Sequence, residues 1–432
     1  MMFETDRPVT WQACTSCGGE LTELDPRSRC PTCGGLLEIV HRPPALTRAE
    51  LVLRFTERRG QPAGVGASGV WRFREVVLPS AEAVVSHPEG NTPLLHRDAL
   101  DAWTGLGRLL LKHEGHNPTG SFKDRGMTVG VTQATRIGAR AVACASTGNT
   151  SASLAAYAAQ AGLPALVLVP AGNVASGKLA QSLAYGARTL LVRGGFDDCL
   201  RLVEEASERL GVYLLNSINP FRLEGQKTIV LELLQQLGWD PPDWIVLPAG
   251  NLGNTAAFGK ALREARAWGL IDRLPRLAAV QAEGAAPFAR SFAEGFRTRY
   301  RVEPETVATA IRIGDPASHE RAVRAIRETD GVVLSVSDAQ ILEAKATVDG
   351  CGVGCEPASA ASVAGVRELV RRGSMRADAR VVAVLTGHVL KDPGMLLHYH
   401  TEADPPPPGA NRPREIAADL REVERALDAR EG

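Results

Sequence analysis

Apolar, β-branched runs recur along the middle of the chain at regular intervals. They cover Leu109–Lys112, Ala141–Ala145, Leu166–Val169, Leu190–Val192, Tyr213–Leu215, Trp244–Leu247, Leu277–Val280, Val332–Val336 and Val381–Leu385. Between many of them lie alanine-, leucine- and arginine-rich stretches of helical length, such as Ser151–Ala161 and Leu202–Leu210. Short continuous apolar runs alternating with helical stretches predict open parallel sheets flanked by helices, an α/β architecture. In such sheets ligands bind where the carboxyl ends of strands turn into helices, so chemistry is sought in those turns.

Length and charge narrow the picture. A chain of 432 residues suggests two or three domains. Its 49 basic side chains balance 49 acidic ones, so no bulk field favours nucleic acid or an anionic membrane. No apolar run approaches the roughly 20 residues of a membrane span. The segment Met1-Met2-Phe3-Glu4-Thr5-Asp6 does not read as a signal peptide, and the expected compartment is the cytoplasm.

Four of the eight cysteines sit within the first 33 residues, as Cys14-Thr-Ser-Cys17 and Cys30-Pro-Thr-Cys33, each pair followed by two glycines. Two such knuckles place four thiolates tetrahedrally, and the glycines permit the tight positive-φ turns required. This predicts a structural Zn2+ site in a ribbon, with no open position for catalysis. Cys144, Cys199, Cys351 and Cys355 are scattered and read as small hydrophobes.

After the strand at Leu109 comes Asn117-Pro-Thr-Gly-Ser-Phe-Lys123-Asp-Arg-Gly126. Asn-Pro-Thr-Gly is turn chemistry, and Ser121 is the expected helix N-cap. Lys123 then falls in the first helical turn, where the helix dipole disfavours an ammonium relative to a neutral amine or imine. A lysine that forms an aldehyde adduct needs this depressed basicity. Two further turns offer backbone N–H groups at helix starts. They are Ser146-Thr147-Gly148-Asn149-Thr150-Ser151 and Gly250-Asn251-Leu252-Gly253-Asn254-Thr255. Neither is a dinucleotide or nucleoside-triphosphate loop.

Together these motifs resemble the fold type II pyridoxal-phosphate enzymes, whose fold is that of the tryptophan synthase beta subunit, and among them most resemble the threonine synthases. Gly90-Asn-Thr-Pro-Leu94, Asn216-Ser-Ile-Asn-Pro-Phe-Arg222-Leu-Glu-Gly-Gln-Lys227, Glu356-Pro-Ala-Ser-Ala-Ala and Leu385-Thr386-Gly387-His388 agree, in order, between about residues 88 and 400. The resemblance implies two open-sheet α/β domains behind a small zinc ribbon. The expected divisions are a ribbon at 1–42, an N-terminal segment at 43–105, and a large cofactor-binding domain at 106–138 and 225–400. A smaller inserted domain is expected at 139–224, and a Pro-rich linker and tail at 401–432.

The resemblance also implies roles. Lys123 would hold pyridoxal 5'-phosphate as an imine and move protons. Asn149 would bond the ring oxygen, Gly250, Asn251, Leu252, Gly253 and Asn254 would cradle the cofactor phosphate, and Thr386 would meet the pyridine nitrogen. A hydroxyl there, unlike a carboxylate, does not hold a proton on the ring, which makes a more moderate electron sink. The phosphate of O-phosphohomoserine would lie near Ser146, Thr147, Thr150, Asn216 and Arg222. The implied reaction is conversion of that substrate and water to L-threonine and phosphate. Lys227, Glu356 and His388 are supporting residues without a catalytic role.

Competing readings are a cysteate synthase acting on O-phosphoserine and a serine/threonine dehydratase, which would not need Arg222. A non-catalytic scaffold binding a phospho-ligand or nucleic acid predicts decay of the lysine or phosphate loop, and both are intact. Neither nucleic acid nor membrane is expected as a partner. The ribbon and the tail are candidate contacts for a homodimer.

Overall fold

The computed structural model describes residues 8–172, 176–407 and 409–428. Residues 1–6, expected not to form a signal peptide, lie outside the described residues. Three sheets account for the strands. Strands β1 (Thr10–Cys14), β2 (Glu20–Thr22) and β3 (Leu37–His41) form an antiparallel ribbon in the order β2-β1-β3. β4 (Leu94–His96) and β5 (Leu109–His113) join β10 (Trp244–Pro248), β11 (Arg276–Ala282), β12 (Val332–Val336) and β13 (Val381–Leu385). The order is β12-β11-β10-β13-β5-β4. A four-stranded parallel sheet, β8-β7-β6-β9, is built from β6 (Ala141–Ala145), β7 (Ala165–Pro170), β8 (Arg188–Val192) and β9 (Val212–Leu214).

Every apolar run singled out in the sequence is one of these strands. Strands buried on both faces read as unbroken hydrophobic runs, and β6, β10 and β13 are buried at every position. The large sheet is parallel except at β4, which pairs antiparallel with β5 at the edge. That three-residue strand has no run of its own to betray it.

Five helices bring residues to the strand ends: α1 (Lys123–Arg136), α2 (Asn149–Ala161), α3 (Pro220–Gln226), α4 (Gly253–Ala267) and α5 (Pro357–Arg371). α1 was expected with the large domain, but it serves both. Its Val129 is buried among large-sheet side chains, whereas Met127, Val131 and Ala134 pack with Val142 and Val167 of the small sheet. The N-terminal segment after the ribbon packs into the large core. A helix at Arg48–Arg59, with Thr47 and Glu50 in a capping box, buries Leu51 and Phe55 beside Trp71, Phe73 and Phe221. Cys351 ends the helix Asp338–Gly350 and Cys355 is buried in the core, as small hydrophobes are. No helix among the described residues is long and apolar enough to cross a membrane.

Candidate active site

The carboxyl ends of both sheets open on one cleft of about 870 Å³. The turn before α1, the loop between β6 and α2, the segment after β9, the loop between β10 and α4 and the residues after β13 all line it. Lys123, Ser146, Thr147, Asn149, Thr150, Asn216, Arg222, Thr386 and Gly250 through Asn254 therefore share one cavity. Residues as far apart in sequence as Lys123 and Thr386 meet because parallel strands deliver their ends to the same side.

The lysine turn is bolted to the end of β13. Phe122 N–H donates to the Thr386 carbonyl at 3.0 Å, and His388 N–H donates to the Gly120 carbonyl at 2.9 Å. Ser121 is not the N-cap. Phe122 occupies that position, and Ser121 Oγ only accepts from Lys123 N at 3.4 Å. Below the lysine, Asp124 accepts from Thr119 N–H at 2.7 Å, Thr119 Oγ1 at 2.6 Å and Ser153 Oγ at 2.6 Å. Arg125 grips Glu114 through Nε at 2.6 Å and Nη2 at 2.8 Å, and reaches Glu232 at 2.9 Å. Three consecutive charged residues thus leave the surface, the last two to fix the helix start that presents the first.

Lys123 Nζ lies 3.9 Å from the centre of the Phe122 ring. Loss of hydration in the cleft, and then the charge of Arg222, push its pKa down to about 7, against a smaller opposing pull from Glu356. Near neutral pH a large share is free amine, the form that attacks a carbonyl.

Arg222 is 1% exposed. Its Nη1 donates to the Leu215 carbonyl at 3.0 Å, its Nε has no partner, and among the described residues no carboxylate pairs with it. Desolvation lowers its pKa to about 10. A buried guanidinium without a counter-charge is costly, and an anion in the cleft would relieve that cost.

Asn216 is more committed. Its Oδ1 accepts from Ala145 N at 3.0 Å and its Nδ2 donates to Ala145 O at 3.3 Å, which pins the end of β6. In the loop before α4, Asn251 bonds Ser217 Oγ and accepts from Ala317 N–H at 2.6 Å, so its side chain shapes the loop. Leu252, at the N-cap position of α4, has a φ of 63°, in the left-handed region that a leucine seldom takes. No side chain caps α4, and Thr255 Oγ1 is buried without a partner. Thr386 Oγ1 lies 3.0 Å from Ser359 Oγ and donates to Glu356 at 3.2 Å.

The sequence reading passed over Ser217, Gln181 and Lys391, which also line the cleft. Lys391 donates to the Thr119 carbonyl at 3.0 Å and to Gln181 Oε1. Lysine in Leu390-Lys391-Asp392 carries no local signal of this. Proximity of β13 to the small sheet is needed to see it.

In the ribbon the Sγ atoms of Cys14, Cys17, Cys30 and Cys33 all lie within 4.8 Å of one another. Cys14–Cys33 and Cys17–Cys30 are 3.4 and 3.6 Å apart. A tetrahedral site with bonds of about 2.3 Å has edges of about 3.8 Å, so the thiols are spaced for one ion. Gly18 and Gly34 take φ of 74° and 69°, the knuckle turns anticipated from Gly-Gly. N–H groups of Cys33 and Thr32 hold the Cys30 thiol down at about 6, while the Gly35 N–H fails to offset the neighbouring thiols that push Cys33 up.

Comparison with known proteins identifies the lineage. The family model described as pyridoxal-phosphate dependent enzyme matches residues 85–387. Threonine synthase of Methanosarcina acetivorans is 48% identical over 382 residues, covering 88% of this chain and 92% of that protein. Threonine synthase of Synechocystis is 50% identical over 312 residues, covering 72% and 79%. Among solved structures, threonine synthase from Escherichia coli superposes with a TM-score of 0.67 at 18% identity, covering 96% of this chain and 99% of that one. That likeness, and one to maize serine racemase with a TM-score of 0.60, 21% identity and coverage of 74% and 93%, speak for the shared fold. Sequence identity near one half across most of both chains goes further: the chain belongs to the threonine synthase family of pyridoxal-phosphate dependent enzymes.

Proposed function

We propose that the protein converts O-phosphohomoserine and water to L-threonine and phosphate, with pyridoxal phosphate held on Lys123. The observation that carries the substrate is Arg222, a buried cation at the cleft with no carboxylate beside it.

The residues present fit the cofactor. An α4 start that no side chain caps, opening on the cleft at Gly253 and Asn254, suits a phosphate group. Gly250 through Asn254 would hold it, Asn149 would face the ring oxygen and Thr386 the ring nitrogen. When bound, the cofactor supplies an electron sink for charge developing at the substrate's Cα.

The chain's own residues do the rest. Lys123 Nζ, about half neutral at pH 7, takes the proton from Cα. A proton also leaves Cβ as phosphate departs from Cγ, and protons are returned at Cγ and, once water has added at Cβ, at Cα. Arg222, with Ser146, Thr147, Thr150 and Asn216 around it, binds the substrate phosphate. It also stabilises the charge that grows as the bond from Cγ to the phosphate oxygen breaks. Water then adds at Cβ, and the cleft walls control when it enters.

The four clustered thiols are the proposed ligands of a structural Zn2+, a site that keeps its thiolates where cysteines stay reduced, which favours the cytoplasm. Less than stoichiometric zinc in protein purified under reducing conditions with zinc supplied would overturn that assignment.

The deciding experiment measures phosphate release from O-phosphohomoserine and O-phosphoserine side by side and identifies the amino-acid product. Threonine from the first is expected. Preference for O-phosphoserine, or a keto acid as product, would reject the assignment.

A further inference from the structure

The helix that carries Arg222 is gripped on its far side by the cysteine ribbon. Helix α3 has seven residues, too few to hold its own orientation, so its packing decides where Arg222 points. One side is pressed onto α1. A Cβ on Gly225 would collide with the Arg125 carbonyl oxygen, and a Cβ on Gly126 would come within 3.0 Å of the Arg222 carbonyl oxygen. Backbone meets backbone at these two glycines, which sets how closely α3 approaches α1, and the Gln226 amide and Arg222 stem flank the contact.

The other side meets the ribbon through Glu224. One carboxylate oxygen accepts from His41 Nε2 at 2.8 Å and from Lys227 Nζ at 2.5 Å. The second accepts from Lys260 Nζ, which also donates to the Ile39 carbonyl. Lys227 continues to Glu264 at 2.8 Å. His41 and Ile39 lie on β3, and Thr10 of β1 meets His41 Nδ1 at 3.0 Å. A carboxylate only accepts, so Nε2 carries the imidazole hydrogen and Nδ1 accepts from the threonine hydroxyl. Burial and the charge of Lys227 keep the ring neutral. Side chains of His41, Glu224 and Lys227 are at most 1% exposed, and a gap in such a set leaves a desolvated group without a partner.

The Arg222 stem packs against Gly126 and Gly130 of α1, but its guanidinium has one bond, to Leu215, and an unpartnered Nε. We propose that His41 and Glu224 are positioning residues for the anion site: the ribbon, through the bond between them, sets the roll of α3 and so the aim of Arg222. The proposal rests on Arg222 being the phosphate ligand.

The test uses cofactor-loaded enzyme and the variants His41→Ala, His41→Gln, Arg222→Gln and the His41→Ala/Arg222→Gln double. The readouts are steady-state kinetics with O-phosphohomoserine and calorimetric binding of inorganic phosphate. His41→Ala is expected to raise KM and the phosphate Kd together by about tenfold, within the range of coupled neighbours, leaving kcat and the cofactor's visible absorbance near wild type. His41→Gln, which keeps an N–H for Glu224, is expected to recover most of the loss. In the Arg222→Gln background, His41→Ala is expected to add nothing.

Wild-type phosphate binding in His41→Ala overturns the proposal. So does an equal loss in the Arg222→Gln background, or a joint fall in kcat and cofactor binding. Phosphate binding that survives Arg222→Gln strikes instead at the reading of Arg222 itself. If His41→Ala does not fold, Thr10→Val is read by the same criteria, with a shift of about threefold expected.

Discussion

Asn149 Nδ2 donates to Glu356 Oε2 at 3.0 Å, joining the start of α2 in the small sheet's unit to the residue that caps α5 in the large one. Glu356 is fully buried in the cleft wall, and desolvation raises its pKa, while Asn149 and Thr386 oppose the shift. The amide proposed for the ring oxygen and the hydroxyl proposed for the ring nitrogen are thus held by one carboxyl group.

Glu356→Ala removes that shared anchor. Loss of a buried hydrogen-bond partner costs about 1–3 kcal/mol, so cofactor affinity is expected to fall by roughly ten- to a hundredfold. Titration of the apoprotein with pyridoxal phosphate, followed by visible absorbance, measures it. Unchanged affinity would remove Glu356 from the site's architecture.

The lowered pKa of Lys123 predicts how the apoprotein responds to pH. An amine with a pKa of about 7 is half free at neutrality, so the rate of cofactor capture should rise with a midpoint near 7. An ordinary lysine would give a midpoint near 10.5. Between those values the unfolded chain binds more protons at this lysine than the folded one, so its contribution makes stability increase with pH. Lys123→Met should abolish capture and flatten that part of the profile relative to wild type. Stopped-flow absorbance and denaturant titrations at several pH values test both.

Arg222 carries opposite expectations for activity and stability. Arg222→Met removes a charge that pairs with substrate phosphate, at a cost of about 2–5 kcal/mol, or at least roughly thirtyfold in kcat/KM. It also removes an uncompensated buried cation, so the phosphate-free protein should be as stable or more so. Equal losses of stability and activity would contradict the unpaired state seen for its guanidinium.

Glu232 receives Arg72 at 2.7 Å, Lys112 at 2.6 Å and Arg125 at 2.9 Å, all buried. Glu232→Gln leaves Arg125 paired with Glu114 but removes the carboxylate that Arg72 and Lys112 contact, and should destabilise the protein by about 3–5 kcal/mol. Urea unfolding measures it. A change below about 1 kcal/mol would show that water enters the cluster.

How much of this was readable before the fold is a matter of physics. The parallel strands were visible because burial on both faces leaves an unbroken apolar signature in the sequence. The cleft loops were visible because each is a strand-to-helix turn with small and hydroxyl residues. Buried ionic groups were not, since Arg72, Lys112 and Glu232 look like solvated side chains until β5 and the helix at Thr228–Gln236 pack together. The same holds for His41 and Glu224, 183 positions apart, which only the seating of the ribbon on α3 brings together.

The place of β13 bears on how the chain acquires its structure. It is the last strand in sequence, yet it lies between β10 and β5 in the middle of the large sheet. The small sheet can form from neighbours in sequence while synthesis is under way. The large one has a gap at its centre until residues near 385 leave the ribosome, and its halves then close over a separation that makes folding slow. During that interval β10 and β5 each present an unpaired edge, so the nascent chain is most exposed to chaperones, and to aggregation, just before its final strand arrives.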